Sequence, residues 1–238
     1  MSLTLAAAQI EACPGRLDQA IAVHVRMAGA AADGGAGLVV FPELSLTGYS
    51  RALKRHDAIS PDASALRPLA ETASKRGITI IAGAPMESPE GLRITNFCFL
   101  PDGRITTHTK KHLHPGEEIC FIAGPGGPPL ITAKTHVGLA ICADIDHSSH
   151  VAESVQQGAK IYAASCFFTP SGYDTCAQRM QAYAKEHGIV ALLANFTGAS
   201  GGFESAGQSA IWDKNGKILA LAPRSGECLA MAECKAGS

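Results

Sequence analysis

The sequence predicts an α/β protein layered around a mixed sheet. Short apolar runs alternate with segments of helical period at both ends of the chain, and hairpin signals occupy the middle. Hydrophobic residues make up 46% of the 238 and charged residues 17%, a balance that suits a large core and argues against disorder. There is no short-period repeat and no long linker, so residues 1–238 read as a single domain.

The elements follow in order. "SLTLAAAQI" is a short buried strand, and "LDQAIAVHVRMAGAAADGG" is a helix that stops at Gly-Gly. "GLVVFPE" is a second strand, broken by Pro42. Residues 61–76 read as a helix with Pro61 in its first turn. "GITIIAGAP" is a third strand, and "TNFCFLPDGRITTHTK" is a hairpin around Pro-Asp-Gly. A Gly/Pro-rich loop (123–130) leads to the strand "THVGLAICAD". Next come a helix at 148–158, the strand "AKIYAAS", a helix at 174–187 stopped by Gly188, and the strand "GIVALLAN". Short strands in "GQSAIWD", "GKILALA" and "ECLAMAE" close the chain.

The formal net charge is -1 and no Lys/Arg block occurs, so neither nucleic acid nor an anionic membrane is expected as a partner. No apolar run approaches the roughly 20 residues of a membrane span. "MSLTLAAAQIEACPG" has no basic n-region and no long apolar h-region, which argues against a secretory signal. A cytoplasmic location follows as the expectation. The eight cysteines, none in a CxxC pair, are then expected to stay as thiols.

In open α/β sheets, ligands bind beyond the carboxyl ends of the strands. Three reactive side chains stand there: Glu43 after "GLVVFP", Lys110 after "GRITTHT" and Cys142 after "GLAI". Taken singly, each has an ordinary reading as a loop carboxylate, a surface lysine or a core thiol. Together they form a set. A free thiol is mostly protonated near neutral pH and needs help to attack. A carboxylate takes its proton, and an ammonium steadies both thiolate and oxyanion. This is acyl-transfer chemistry, and it requires neither metal nor cofactor.

"FPELSLTGY" (41–49), "TKKHLHPGEE" (109–118) and "GLAICADI" (138–145) resemble, in order, the three motif regions of the nitrilase superfamily, the carbon–nitrogen hydrolases. The resemblance runs from "AAAQI" to the C-terminal strands. It implies a four-layer α-β-β-α sandwich with mixed sheets, found as a homodimer or higher homo-oligomer. It also implies Glu43 as general base, Lys110 as catalytic lysine, Cys142 as nucleophile, and Glu117 or Glu118 as a second carboxylate near the site. The chain departs from the pattern at Ala143, where many members carry a larger residue. "DHSSH" also replaces the usual Phe-Pro-Glu, in a region that borders the substrate pocket.

Other residues have weaker claims. Asp144 reads as a cap for the following helix, and Asn195 as a tie between loops. Arg179 and Glu186 read as a wet helix face or partners across a subunit contact. Phe167, Phe168 and Trp212 read as packing or as pocket walls. His108, His112, His114, His147 and His150 read as solvated or hydrogen-bonded histidines around a pocket mouth, since zinc needs three or four well-placed ligands. The expected function is therefore hydrolysis of a small non-peptide amide through a cysteine thioester, with water as second substrate. The alternatives are N-carbamoyl amide hydrolysis, nitrile hydrolysis, a silent binding subunit of the same fold, and a metal hydrolase built on the histidines.

Overall fold

The computed structural model describes residues 2–132 and 135–235. Its elements are β1 (Ser2–Gln9), α1 (Leu17–Asp33), β2 (Ala36–Val40), α2 (Arg67–Arg76), β3 (Thr79–Ser88), β4 (Gly91–Phe99) and β5 (Ile105–Thr109). They continue with β6 (Leu130–Ile131), β7 (His136–Ile141), α3 (Ser148–Gln156), β8 (Ile161–Cys166), α4 (Pro170–His187) and β9 (Val190–Asn195). The chain closes with β10 (Thr197–Ser200), β11 (Phe203–Ala206), β12 (Ala210–Trp212), β13 (Ile218–Leu221) and β14 (Cys228–Lys235).

Two six-stranded sheets result, in the orders β14-β1-β2-β3-β4-β5 and β13-β12-β9-β8-β7-β6, with β10-β11 as a separate hairpin. In the first, β1, β2 and β3 run parallel and β14, β4 and β5 are antiparallel to their neighbours. The second repeats the plan, with β7, β8 and β9 parallel and antiparallel strands at both sides.

The two-residue period of each strand sorts its side chains into layers. Leu3, Leu5 and Ala7 of β1 meet Val137, Leu139, Ile161 and Leu192 between the sheets. Ala6 and Ala8 face the opposite way, toward Met27, Ala28 and Ala31 of α1 and Leu69 and Ala73 of α2. Likewise Ile161 and Ala163 of β8 point inward, while Tyr162, Ala164 and Cys166 pack under Tyr173, Met180 and Tyr183 of α4. The order of layers is helix, sheet, sheet, helix. Each fully buried Leu or Ile contributes roughly 1.5–3 kcal/mol.

Several boundaries differ from the sequence reading. The helix expected at 61–76 starts at Arg67, after a 3₁₀ turn at Ser64–Leu66, and Pro68 takes the first-turn place assigned to Pro61. The helix expected from 174 begins at Pro170, where a proline loses no helical hydrogen bond. β3 continues to Ser88 and pairs with β4 along its full length, a hairpin hidden by Pro85 and by the polar residues at its tip. No helix among the described residues is long and apolar enough to cross a membrane. All eight cysteines are unpaired.

Candidate active site

Glu43 lies just past β2, on a segment held tightly against β3. Phe41 N donates to Ile81 O (2.9 Å) and Leu46 N to Gly83 O (2.9 Å). The approach is so close that a Cβ on Gly83 would stand 2.4 Å from Leu44 N, so only glycine fits there. Lys110 follows β5. Its N–H donates to Ile94 O (2.8 Å), and its carbonyl accepts from Gly124 N (2.7 Å). Cys142 follows β7 at φ 44°, a left-handed conformation rare for a residue with a Cβ.

These three strand ends converge. The Lys110 ammonium donates to Glu43 Oε1 (2.6 Å) and to Glu117 Oε1 (2.9 Å) and Oε2 (2.8 Å), with all three side chains fully buried. Glu117 is fixed in turn by the Tyr49 hydroxyl (3.0 Å) and His114 N (2.8 Å). Glu118 is exposed and accepts from Gly116 N, so of the two candidate carboxylates Glu117 is the one at the lysine.

The electrostatics follow from one buried cation between two carboxylates. Burial pushes Glu43 up to about 7; Lys110 opposes the rise, Glu117 adds to it, and the Cys142 thiol lowers it slightly. Burial also works against the charge of Lys110, but Glu43, Cys142 and Glu117 outweigh it and hold the ammonium above its ordinary range. Burial, then Glu43, pushes the Cys142 thiol well above its ordinary value despite Lys110. The resting sulfur is therefore a thiol. Its proton has to leave as it attacks, and Glu43 Oε2 has no hydrogen-bond partner among the described residues.

Of the three, Cys142 is the one that faces open space. It lines a cavity of about 750 Å³ together with Tyr49, Arg51, Phe167, Phe168 and Phe203. Phe167 stacks on Tyr49 (4.8 Å between centroids), and its carbonyl lies 3.9 Å from Cys142 Sγ. Ala143 is buried directly after the nucleophile position.

Asp144 does not cap the following helix, since α3 starts after His147 with no side-chain cap. Oδ1 accepts from Lys111 N (3.1 Å) and His112 N (2.8 Å), and Oδ2 accepts from Ile141 N (3.0 Å). It thereby ties the segment after Lys110 to the strand end before Cys142. Asn195 does tie loops together: Oδ1 accepts from Phe168 N (2.8 Å), and Nδ2 donates to Gly207 O (2.9 Å).

Other sequence readings need correction. Arg179 does not sit on a plain wet face. It pairs with Asp146 of its own chain and lines the cavity, while Glu186 is exposed. Of the two readings for the aromatic residues, Trp212 is packing, under α4, while Phe167 and Phe168 line the cavity. His108 and His150 are buried; His150 still lines a second cavity, and His114 lines the one at Cys142. Tyr49 and Arg51 were missed, although Tyr49 closes the "FPELSLTGY" stretch; nothing local marks a tyrosine as the partner of a glutamate 68 residues away.

A carbon-nitrogen hydrolase profile matches residues 4–238. An (R)-stereoselective amidase of Pseudomonas sp. is 25% identical over 193 residues, 80% of this chain and 70% of its own. The 2-oxoglutaramate amidase of Bacillus subtilis strain 168 is 29% identical over 191 residues, 78% of this chain and 73% of its own. Among solved structures, the amidase of Nesterenkonia sp. AN1 in complex with butyramide superposes at a TM-score of 0.87 with 24% identity, covering 97% of this chain and 90% of that one. Another variant of that amidase carries the acetamide moiety of fluoroacetamide covalently on its active-site cysteine. Since the profile spans nearly every residue, the chain belongs to the carbon-nitrogen hydrolase family.

Proposed function

We propose that the chain, acting as one domain, hydrolyses a small non-peptide amide with Cys142 as nucleophile. The supporting observation is the buried Glu43–Lys110–Glu117 cluster directly behind a cysteine that opens into a cavity. Glu43 takes the thiol proton as sulfur attacks the carbonyl carbon. Lys110 and the backbone amide of Ala143 hold the oxyanion, while Glu117 and Tyr49 keep the ammonium in place. Ammonia or an amine leaves with the proton from Glu43. Water, activated by the same carboxylate, then cleaves the thioester. Phe167 and Tyr49 form an apolar wall against the substrate. Carbamoyl amides and nitriles fit the same path as alternatives. A cytoplasmic homodimer or larger oligomer belongs to the same reading, and exposed Ile218, Leu219 and Leu221 on the sheet-edge strand β13 support a second copy.

Ammonia release tests this. The panel comprises butyramide, 2-oxoglutaramate, a carbamoyl amino acid, a urea and a nitrile, with Cys142→Ala as blank. Release from an amide well above the blank is expected. Release from none of the panel, or equal release by the blank, would exclude the mechanism.

The pH profile is a separate test. Glu43 works as a base only when ionised, and it sits at about 7. kcat/KM is therefore expected to be low in acid, to rise tenfold per pH unit below about 7, and to level off above it. A profile flat across that region would remove Glu43 from the role of base.

A further inference from the structure

The histidines that the reaction leaves unused gather on the far side of Asp144. His108 on β5, Asp144 and His150 on α3 are all buried, and their donor atoms lie within 4.8 Å of one another. Neither ring nitrogen of His108 has a hydrogen-bond partner among the described residues, although the ring is only 4% exposed. Buried imidazoles normally satisfy at least one nitrogen. His150 Nδ1 is engaged by the Tyr162 hydroxyl (2.9 Å). When that N–H donates, Nε2 presents its lone pair 3.9 Å from Asp144 Oδ2. This is too long for a hydrogen bond. Two tetrahedral donors on one ion stand roughly 3.3–3.6 Å apart, so the two groups would have to close by a few tenths of an ångström around it.

We propose that His108, Asp144 and His150 form a binding site for one divalent transition-metal ion of the zinc class. Two imidazoles and a carboxylate are a common donor set for such ions. The outer contacts of the site are in place: Tyr162 orients His150, and the amides of Lys111 and His112 fix Asp144. A cavity of about 370 Å³, lined by His150, Gly126, Gly127, Lys111 and Glu153, gives access for the ion and for a solvent ligand. It shares no lining residue with the cavity at Cys142. The ion is thus a brace and not a reactant. It would clamp the strand ends that carry Lys110 and Cys142 through their common tie, Asp144. One of the donors comes from a departure in this chain, since His150 lies in the "DHSSH" stretch.

Co²⁺ added to chelator-stripped full-length protein tests the site. Wild type and Cys142→Ala are both expected to take up one equivalent, with visible d–d bands, no sulfur-to-cobalt charge-transfer band and a raised Tm. His150→Gln and His108→Phe are each expected to weaken uptake about tenfold or more. If His108→Phe fails to fold, His150→Gln carries the comparison. No stoichiometric uptake by wild type, uptake unchanged by His150→Gln, or a thiolate band that disappears in Cys142→Ala would each overturn the proposal.

Discussion

Lys110→Met is expected to lose stability and activity together. The side chain is fully buried between Glu43 and Glu117, so its removal leaves two carboxylates facing each other without a cation. Breaking a buried ionic cluster in this way costs about 3–5 kcal/mol. The loss should depend on pH. Without the ammonium, which now lowers it, Glu43 rises further above about 7. The folded variant then holds a proton more tightly than the unfolded chain. Its stability should fall as pH rises through that range and recover in acid. Urea unfolding at pH 6 and pH 8 would show this, and a variant as stable as wild type at pH 8 would contradict it. Removing one oxyanion donor typically costs a further 10²–10³-fold in kcat. In acid, where the variant folds, Glu43 is also protonated, so the loss of kcat there should exceed that of the oxyanion donor alone.

Cys142→Ala is expected to lower kcat/KM by roughly 10⁴-fold or more, since Cys142 is the cavity-wall thiol that lies beside Glu43 and Lys110. Stability should change little. The sulfur's contact with Phe167 O, at 3.9 Å, is weak. Backbone strain provides a second comparison. Cys142 is held at φ 44°, a conformation that costs an L-residue about 1–2 kcal/mol and glycine almost nothing. Cys142→Gly should therefore unfold at higher urea than Cys142→Ala while being equally inactive. The reverse order would mean that the turn is not strained. Ammonia release surviving in both variants would remove Cys142 from the mechanism.

The ends of the parallel strands were legible in the sequence for a physical reason. Strands covered on both faces read as unbroken apolar runs, and a charged or thiol side chain directly after such a run stands out. Glu43 and Cys142 stand out by that contrast, whereas Lys110 follows the polar, antiparallel β5 and stands out by its place after a strand and by the motif resemblance. Asp144 was visible as a residue, but its work was not. A cap and a clamp look alike in sequence, and the amides of Lys111 and His112 reach it only after folding. The burial of His108 was equally hidden. It alternates with polar Thr107 and Thr109 near the end of β5, and its cover is the backbone of Gly126 and Gly127 from a distant loop. The start of α2 was misplaced because Pro61 and Pro68 both satisfy first-turn chemistry, and only packing of Leu66 and Leu69 chooses between them. The β3–β4 hairpin was missed because Pro85 reads as a terminator, yet it is tolerated within this strand.

The pairing of β1 with β14 has a consequence for how the molecule is made. Ser2 meets Lys235 and Gln9 meets Cys228, so β1 gains its outer neighbour only after every other strand described has been made. Closing so long a loop adds little entropy cost, about 0.6 kcal/mol per doubling of length. The delay is what matters. Until the late strand arrives, the nascent chain exposes an unpaired edge next to Leu3 and Leu5, the kind of surface that recruits stray strands. The first sheet therefore stays open until β14 is made, and holding chaperones that shield that edge should raise the yield of native protein.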